Sequence, residues 1–208
     1  SKKFKKFNEF CIIGTGGSSL GSQALINSIS KFRKKNFYFF ENIDPIFTEM
    51  KIKKINLAKT CFIVISKSGY TSETLALFSV FIKKFEISNL NVLIPKNFIV
   101  ITENKTSPMT SIANKYKIKL LPHDQDIGGR FSVFSNVALL PAYFAGFDIV
   151  KFRKGAKKIL NQVAKKNNLL PLKGAAILAS LYEINKININ VMLTYTDSLK
   201  KFGMWHRQ

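Results

Sequence analysis

Acidic side chains are scarce in this chain: 12 aspartates and glutamates face 33 lysines and arginines over 208 residues, leaving a formal charge of +21. So basic a balance raises nucleic acid or an anionic surface as a partner, but arginine is scarcer still. Only Arg33, Arg130, Arg153 and Arg207 occur, and the lysines fall in pairs along the whole length instead of gathering on one element. With asparagine, isoleucine and phenylalanine also over-used, the excess reads as a bias acting on the whole composition, and no nucleic acid is expected as a partner. Cysteine is limited to Cys11 and Cys61, each opening a short apolar run of core-strand character, which argues against a disulfide framework. His123 and His206 are the only histidines, and neither has a cysteine or carboxylate at a recognisable spacing. That pattern nominates neither as acid or base and supports no metal; no cofactor is expected. A long apolar run is missing as well: Phe131 to Val150 is interrupted by Ser132, Ser135, Asn136, Pro141 and Asp148, too polar for a lipid-exposed span of about 20 residues, so a buried helix is expected and no membrane. Ser1 to Phe10 has no apolar stretch with a cleavage site behind it, which makes the cytoplasm the default location.

What is present is a globular composition, 46% hydrophobic and 12% aromatic, enough for one α/β domain with a full core. Phe10 to Ile13, Phe37 to Phe40, Cys61 to Ile65 and Phe98 to Ile101 are short runs rich in β-branched or aromatic residues between turn signals, and Ile118 to Leu121 can add a fifth strand. Between them Leu20 to Phe32, Ile46 to Ile55, Thr74 to Phe85 and Met109 to Tyr116 have helical spacing. Strands alternating with helices predict a doubly wound parallel sheet covered on both faces, a three-layer α/β fold. After Gly129 helix dominates: Phe131 to Phe144, Val150 to Lys166 and Gly174 to Ile184, with Asn188 to Leu193 as a candidate last strand. In Thr196 to Gln208, Leu199, Phe202 and Trp205 fall on one side of a final helix that looks cut short.

Chemistry concentrates in three loops. Ser66-Lys67-Ser68-Gly69-Tyr70-Thr71-Ser72-Glu73-Thr74 lies between the third strand and a helix start. It offers several hydroxyls, a glycine that lets backbone approach closely, and free amides at a helix N-terminus, where the macrodipole favours an anion: a phosphate cradle of neutral donors. The competing reading is an ordinary capping box on Thr71 or Ser72. Gly14-Thr15-Gly16-Gly17-Ser18-Ser19-Leu20-Gly21 follows the first strand and is similar to a dinucleotide fingerprint, with Glu41 about 20 residues on where a ribose-binding acid would belong. Its paired serines suit a small polyol better than a pyrophosphate. Gly128-Gly129-Arg130-Phe131-Ser132 puts an arginine at a helix entrance in a chain that uses lysine almost everywhere else. A planar fork with permanent charge can meet an oxyanion there; the alternative is a surface pairing with Asp124 or Asp126.

In this order the three loops, with the tail Tyr195 to Gln208 and the turn Asn42-Ile43-Asp44-Pro45, resemble phosphoglucose isomerase, whose sugar isomerase fold carries a GIGGSxLG turn, an SKTFTTxET loop and a GGRFSxxS segment. The resemblance runs from about Phe10 to Gln208. It implies a flavodoxin-like domain binding a hexose phosphate at the carboxyl ends of its strands, a sugar phosphate as the small-molecule partner, and a homodimer. Position by position it implies that Ser66, Lys67 through its backbone, Ser68 and Thr71 hold the phosphate, that Gly17, Ser18 and Gly129 meet the sugar, that Arg130 faces an enediolate, and that Gln208 stands one turn before the proton-shuttling glutamate. That glutamate, a ring-opening histidine and a lysine of the family have no match among the 208 residues, and Gly69-Tyr70 stands where the family has Phe-Thr. On this resemblance residues 1–208 form a single phosphosugar-binding domain: a tail at 1–9, a sheet core at 10–130 and a mainly helical extension at 131–208. A non-catalytic phosphosugar-binding module and a Rossmann-type nucleotide enzyme are the rival functions.

Overall fold

A computed structural model describes residues 2–165 and 170–208. The chain divides into two compact units, Ser1–Phe147 with Tyr195–Gln208, and Asp148–Thr194.

The first unit is built on five parallel strands, β1 (Glu9–Ile13), β2 (Asn36–Phe40), β3 (Thr60–Ile65), β4 (Phe98–Thr102) and β5 (Lys119–Pro122), in the order β2-β1-β3-β4-β5. All five strand expectations hold to within about two residues, the ordinary scatter of element ends. The helices between them are α1 (Leu20–Ser28), α2 (Pro45–Ile52), α3 (Ser72–Ile87), α4 (Ile94–Asn97) and α5 (Pro108–Lys115), followed by α6 (Asn136–Phe144). Every residue of β3 is buried, as a central parallel strand requires when helices cover both faces. Alternation along the strands feeds two cores. On one face Cys11, Ile13, Phe62, Val64, Phe98 and Val100 meet α2, α3 and α5 through Ile52, Phe78, Phe81, Phe85, Met109 and Ala113. On the other, Phe10, Ile12, Cys61, Ile63, Ile99 and Ile101 meet Phe4, Phe7, Val137 and Phe144. The architecture is therefore the expected three-layer, flavodoxin-like α/β fold, with strand order reversing between β1 and β3. The phenylalanines of the first core pack ring on ring: Phe62 lies 4.7 Å from Phe98 and 4.9 Å from Phe81, and Phe85 5.1 Å from Phe98. Cys11 and Cys61 project to opposite faces of neighbouring strands and are free thiols. Burial pushes both thiol pKa values above their ordinary range.

Three expectations are corrected. Leu20 to Phe32 is not one helix: α1 stops at Ser28 and a separate 3₁₀ turn, Ser30–Phe32, follows. Phe131 to Phe144 is likewise two pieces, a 3₁₀ turn at Gly129–Phe134 and α6, because Ser135 is extended and its hydroxyl accepts from the Val137 amide, restarting the helix. Asn188 to Leu193 forms no strand; Ile189, Val191 and Leu193 are exposed, and no strand among the described residues runs beside them to share a ladder.

The second unit comprises α7 (Ile149–Ala164), capped by the Asp148 carboxylate, α8 (Leu170–Glu183) and the segment after it. The predicted end of α7 at Lys166 lies outside the described residues. The tail of the chain rejoins the first unit: a turn at Asp197–Leu199 and α9 (Lys200–Arg207) pack on α1, and Asn27 donates to the carbonyls of Asp197 (2.6 Å) and Ser198 (3.0 Å). Among the described residues no helix is long and apolar enough to cross a membrane.

Candidate functional site

The turn after β1 and the loop after β3 leave adjacent strands at their carboxyl ends, on either side of the point where strand order reverses. Their contact is close: a Cβ placed on Gly14 would sit 2.8 Å from the Ile65 carbonyl oxygen. Such a crevice outside the carboxyl ends is where open parallel sheets hold ligands.

In the loop after β3, Ser66 is buried and its hydroxyl makes two bonds, to the Thr71 hydroxyl at 2.9 Å and from the Gly69 amide at 3.2 Å. The Ser68 hydroxyl accepts from the Tyr70 amide at 3.1 Å. Gly69 has φ +73°, and a Cβ there would meet the Ser107 hydroxyl, so this position requires glycine twice over. Thr71 occupies the N-cap of α3 without capping it, since its side chain turns back to Ser66. The capping-box alternative is thus not the arrangement adopted. By contrast α2, α5 and α7 are capped by Asp44, Ser107 and Asp148. The first bond inside α3 runs from the Leu75 amide to the Thr71 carbonyl, and the amides of Ser72, Glu73 and Thr74 take no partner among the described residues. Three donors at the positive end of a 16-residue helix are left for an anion. The Lys67 ammonium is engaged elsewhere, donating to the Gln125 carbonyl at 2.7 Å and lying 3.8 Å from Glu103.

The turn after β1 is closed by protein. Gly16 has φ +52°, and a Cβ on it would lie 2.8 Å from Nε2 of Gln208. A Cβ on Gly17 would fall 2.3 Å from the Gly129 carbonyl carbon and 2.8 Å from the Arg130 nitrogen. Ser132 ties the same two loops, its hydroxyl reaching the carbonyls of Gly129 (2.7 Å) and Gly17 (3.3 Å). Ser18 is half-buried at the end of this turn, while Ser19 is buried and its hydroxyl accepts from Gln23 at 2.8 Å inside α1, so the pair does not present two hydroxyls outward. Arg130 is exposed, with its guanidinium 5.6 Å from the Phe131 ring centre; among the described residues no ion pair joins it to Asp124 or Asp126. Three stretches distant in sequence therefore assemble in two pairs of direct contacts, Gly17 with Gly129 and Arg130 and Gly16 with Gln208, on the turn beside the Ser66 loop.

Two residues have roles that motif spacing does not signal. Ser132 lies within a motif, and nothing in its spacing signals a clamp onto Gly17. Thr74 is fully buried in the first turn of α3 with its hydroxyl unpartnered; a threonine at a core-facing helical position was the available signal. Among the described residues no cluster of histidine, cysteine and carboxylates could hold a metal.

A doubly wound sheet with these loops at the reversal point defines the class: a domain of the sugar isomerase fold. The phosphoglucose isomerase family profile matches residues 1–208, and the chain belongs to that family. The glucose-6-phosphate isomerase of Methanocaldococcus jannaschii is 35% identical over 211 residues, covering 99% of this chain and 51% of its own. That of Borreliella burgdorferi is 36% identical, over 100% of this chain and 41% of its own. Among solved structures, a hypothetical protein from Thermus thermophilus superposes with a TM-score of 0.84 at 29% identity, over 96% of this chain and 47% of its own. A glucose-6-phosphate isomerase from Chlamydia trachomatis reaches 0.60 at 32% identity, over 67% of this chain and 26% of its own. The chain spans about half the length of the curated relatives it matches.

Proposed function

We propose that this chain forms the phosphosugar-binding part of an aldose-ketose isomerase that interconverts glucose 6-phosphate and fructose 6-phosphate through an enediolate. The uncapped start of α3 carries the reading: the hydroxyls of Ser66, Ser68 and Thr71, the backbone of Lys67 and the free amides of Ser72, Glu73 and Thr74 form one neutral donor set beside a helix dipole. Gly17, Ser18, Gly129 and Gln208 take the sugar end, and Arg130, unpaired among the described residues, faces the oxygen on which enediolate charge builds. Charge met only in the transition state accelerates the step instead of merely tightening the substrate. The filled first turn supports a small ligand over a dinucleotide, because the backbone of Gly129 and the side chain of Gln208 stand where a pyrophosphate would have to approach. In this reading the enzyme works in the cytoplasm in glycolysis and gluconeogenesis, as a homodimer, without cofactor. The whole of residues 1–208 acts as one phosphosugar-binding domain.

The test is calorimetric titration of the chain with fructose 6-phosphate and with a nicotinamide nucleotide, followed by Ser66→Ala combined with Thr71→Ala. The sugar phosphate binds, the nucleotide does not, and the double variant loses affinity by about tenfold or more at an unchanged fold, as loss of the one hydroxyl proton that the Ser66–Thr71 pair leaves for a charged group implies. Unchanged affinity in the double variant would remove the cradle.

A further inference from the structure

Glu103 is 8% exposed at the end of β4, an unusual place for a carboxylate in a chain so short of them. It grips Lys67 at both ends. Its amide donates to the Lys67 carbonyl at 3.0 Å, beside the Thr102 hydroxyl at 3.2 Å, and its carboxylate oxygen Oε1 stands 3.8 Å from the Lys67 ammonium. The other oxygen is paired with Lys105. Lys67 in turn reaches the Gln125 carbonyl, in the loop after β5 that leads to Gly128, Gly129 and Arg130. His123 is buried next to this group, its Nδ1 donating to the Asp124 carbonyl and its Nε2 without a partner among the described residues.

We propose that Glu103 is a specificity-determining residue that holds the Lys67 ammonium off the phosphate loop, so that the loop recognises its anion by neutral hydroxyl and amide donors and not by a free cation. The proposal rests on the reading of Ser66 to Thr74 as the phosphate cradle. The chemistry follows from directionality. Hydroxyls and amides fixed by a helix start favour one placement of a phosphate monoester relative to the sugar pocket, whereas a flexible ammonium attracts any anion from any side. The hydrogen bond from Lys105, with Lys67 beside it, keeps the Glu103 carboxyl below its ordinary pKa and hence ionised at neutral pH. The countercharge is therefore always present where the protein works.

Inorganic phosphate and fructose 6-phosphate are the probes, titrated into the wild-type chain, Glu103→Gln, Glu103→Asp and Glu103→Gln combined with Lys67→Met, each at low and at high salt. Glu103→Gln gains affinity for inorganic phosphate by about three- to fivefold at low salt, the scale of one partly exposed charge pair, and loses the gain at high salt. Fructose 6-phosphate, whose placement the sugar pocket already fixes, gains less, so its preference over inorganic phosphate narrows. Glu103→Asp shows no gain, and Lys67→Met in the Glu103→Gln background abolishes it. A merely structural Glu103 would give weaker binding of both probes, which would overturn the proposal, as would a gain that survives Lys67→Met. Failure of the wild-type chain to bind fructose 6-phosphate at all would overturn the cradle reading instead, and this proposal with it.

Discussion

The backbone contact between Gly17 and Gly129 can be broken by one methyl group. In Gly17→Ala the new carbon falls 2.3 Å from the Gly129 carbonyl carbon, 2.5 Å from its oxygen and 2.8 Å from the Arg130 nitrogen. All three are backbone atoms, so no side chain can swing aside, and ordinary contact requires the Gly129–Arg130 segment to retreat by about 1 Å. Overpacking of this kind costs about 1–3 kcal/mol, which lowers the melting temperature by about 2–4 °C per kcal/mol in a chain of this size. The reciprocal change is the control. A Cβ on Gly129 meets only the Gly17 α-carbon at 3.7 Å, an ordinary contact, so Gly129→Ala stays within about 0.5 kcal/mol of wild type. Scanning calorimetry of both variants reads the asymmetry: Gly17→Ala melts earlier because the segment carrying Arg130 has to move, while Gly129→Ala melts as wild type does. Equal shifts in the two variants, or a Gly17→Ala that behaves as wild type, would refute the close approach on which the assembled site depends.

Cys11 and Cys61, buried on opposite faces with thiol pKa values raised by desolvation, resist a thiol reagent at pH 8 in the folded chain and react with it in denaturant; rapid labelling without denaturant would contradict the core. Thr74→Val removes a buried hydroxyl that has no partner, so thermal unfolding is unchanged or occurs up to a few degrees higher; a clear loss of stability would show that the hydroxyl is bonded within the protein. The Glu103 carboxyl, held below its unfolded value chiefly by the Lys105 hydrogen bond, contributes stability that is present above about pH 4.3 and lost as pH falls through its lower folded value. Glu103→Gln should therefore flatten the acid limb of a stability-pH curve below about pH 4.3 and leave a constant deficit above it; an unchanged acid limb would refute the assignment.

The sheet was legible because parallel strands buried on both faces leave continuous apolar runs such as Cys61 to Ile65, and each run is bounded by a turn. The helix after Gly129 was less so. Helical spacing runs on across Phe131 to Phe144, and the break depends on one serine whose hydroxyl restarts the helix, which periodicity does not register. Asn188 to Leu193 alternates like a strand, but alternation cannot supply the neighbour a strand needs. At the site, the loop after β3 announced its hydroxyls by type and spacing. The sequence could not tell that Thr71 would bond Ser66 and leave the helix start open, since either partner satisfies the same motif. Nor could it show that Gly16 and Gly17 are glycines for the sake of Gln208 and Gly129, more than 100 residues away, because a close approach between distant segments leaves no local trace.

If the open start of α3 receives the phosphate of a monosaccharide, its backbone amides report the binding. Amide chemical shifts followed during titration of the isotope-labelled chain with fructose 6-phosphate test it most directly. The largest displacements are expected at the amides of Ser66 to Thr74, with smaller ones at Gly17, Gly129 and Arg130. Displacements centred on any other part of the chain, with the amides of Ser72, Glu73 and Thr74 unmoved, would contradict it.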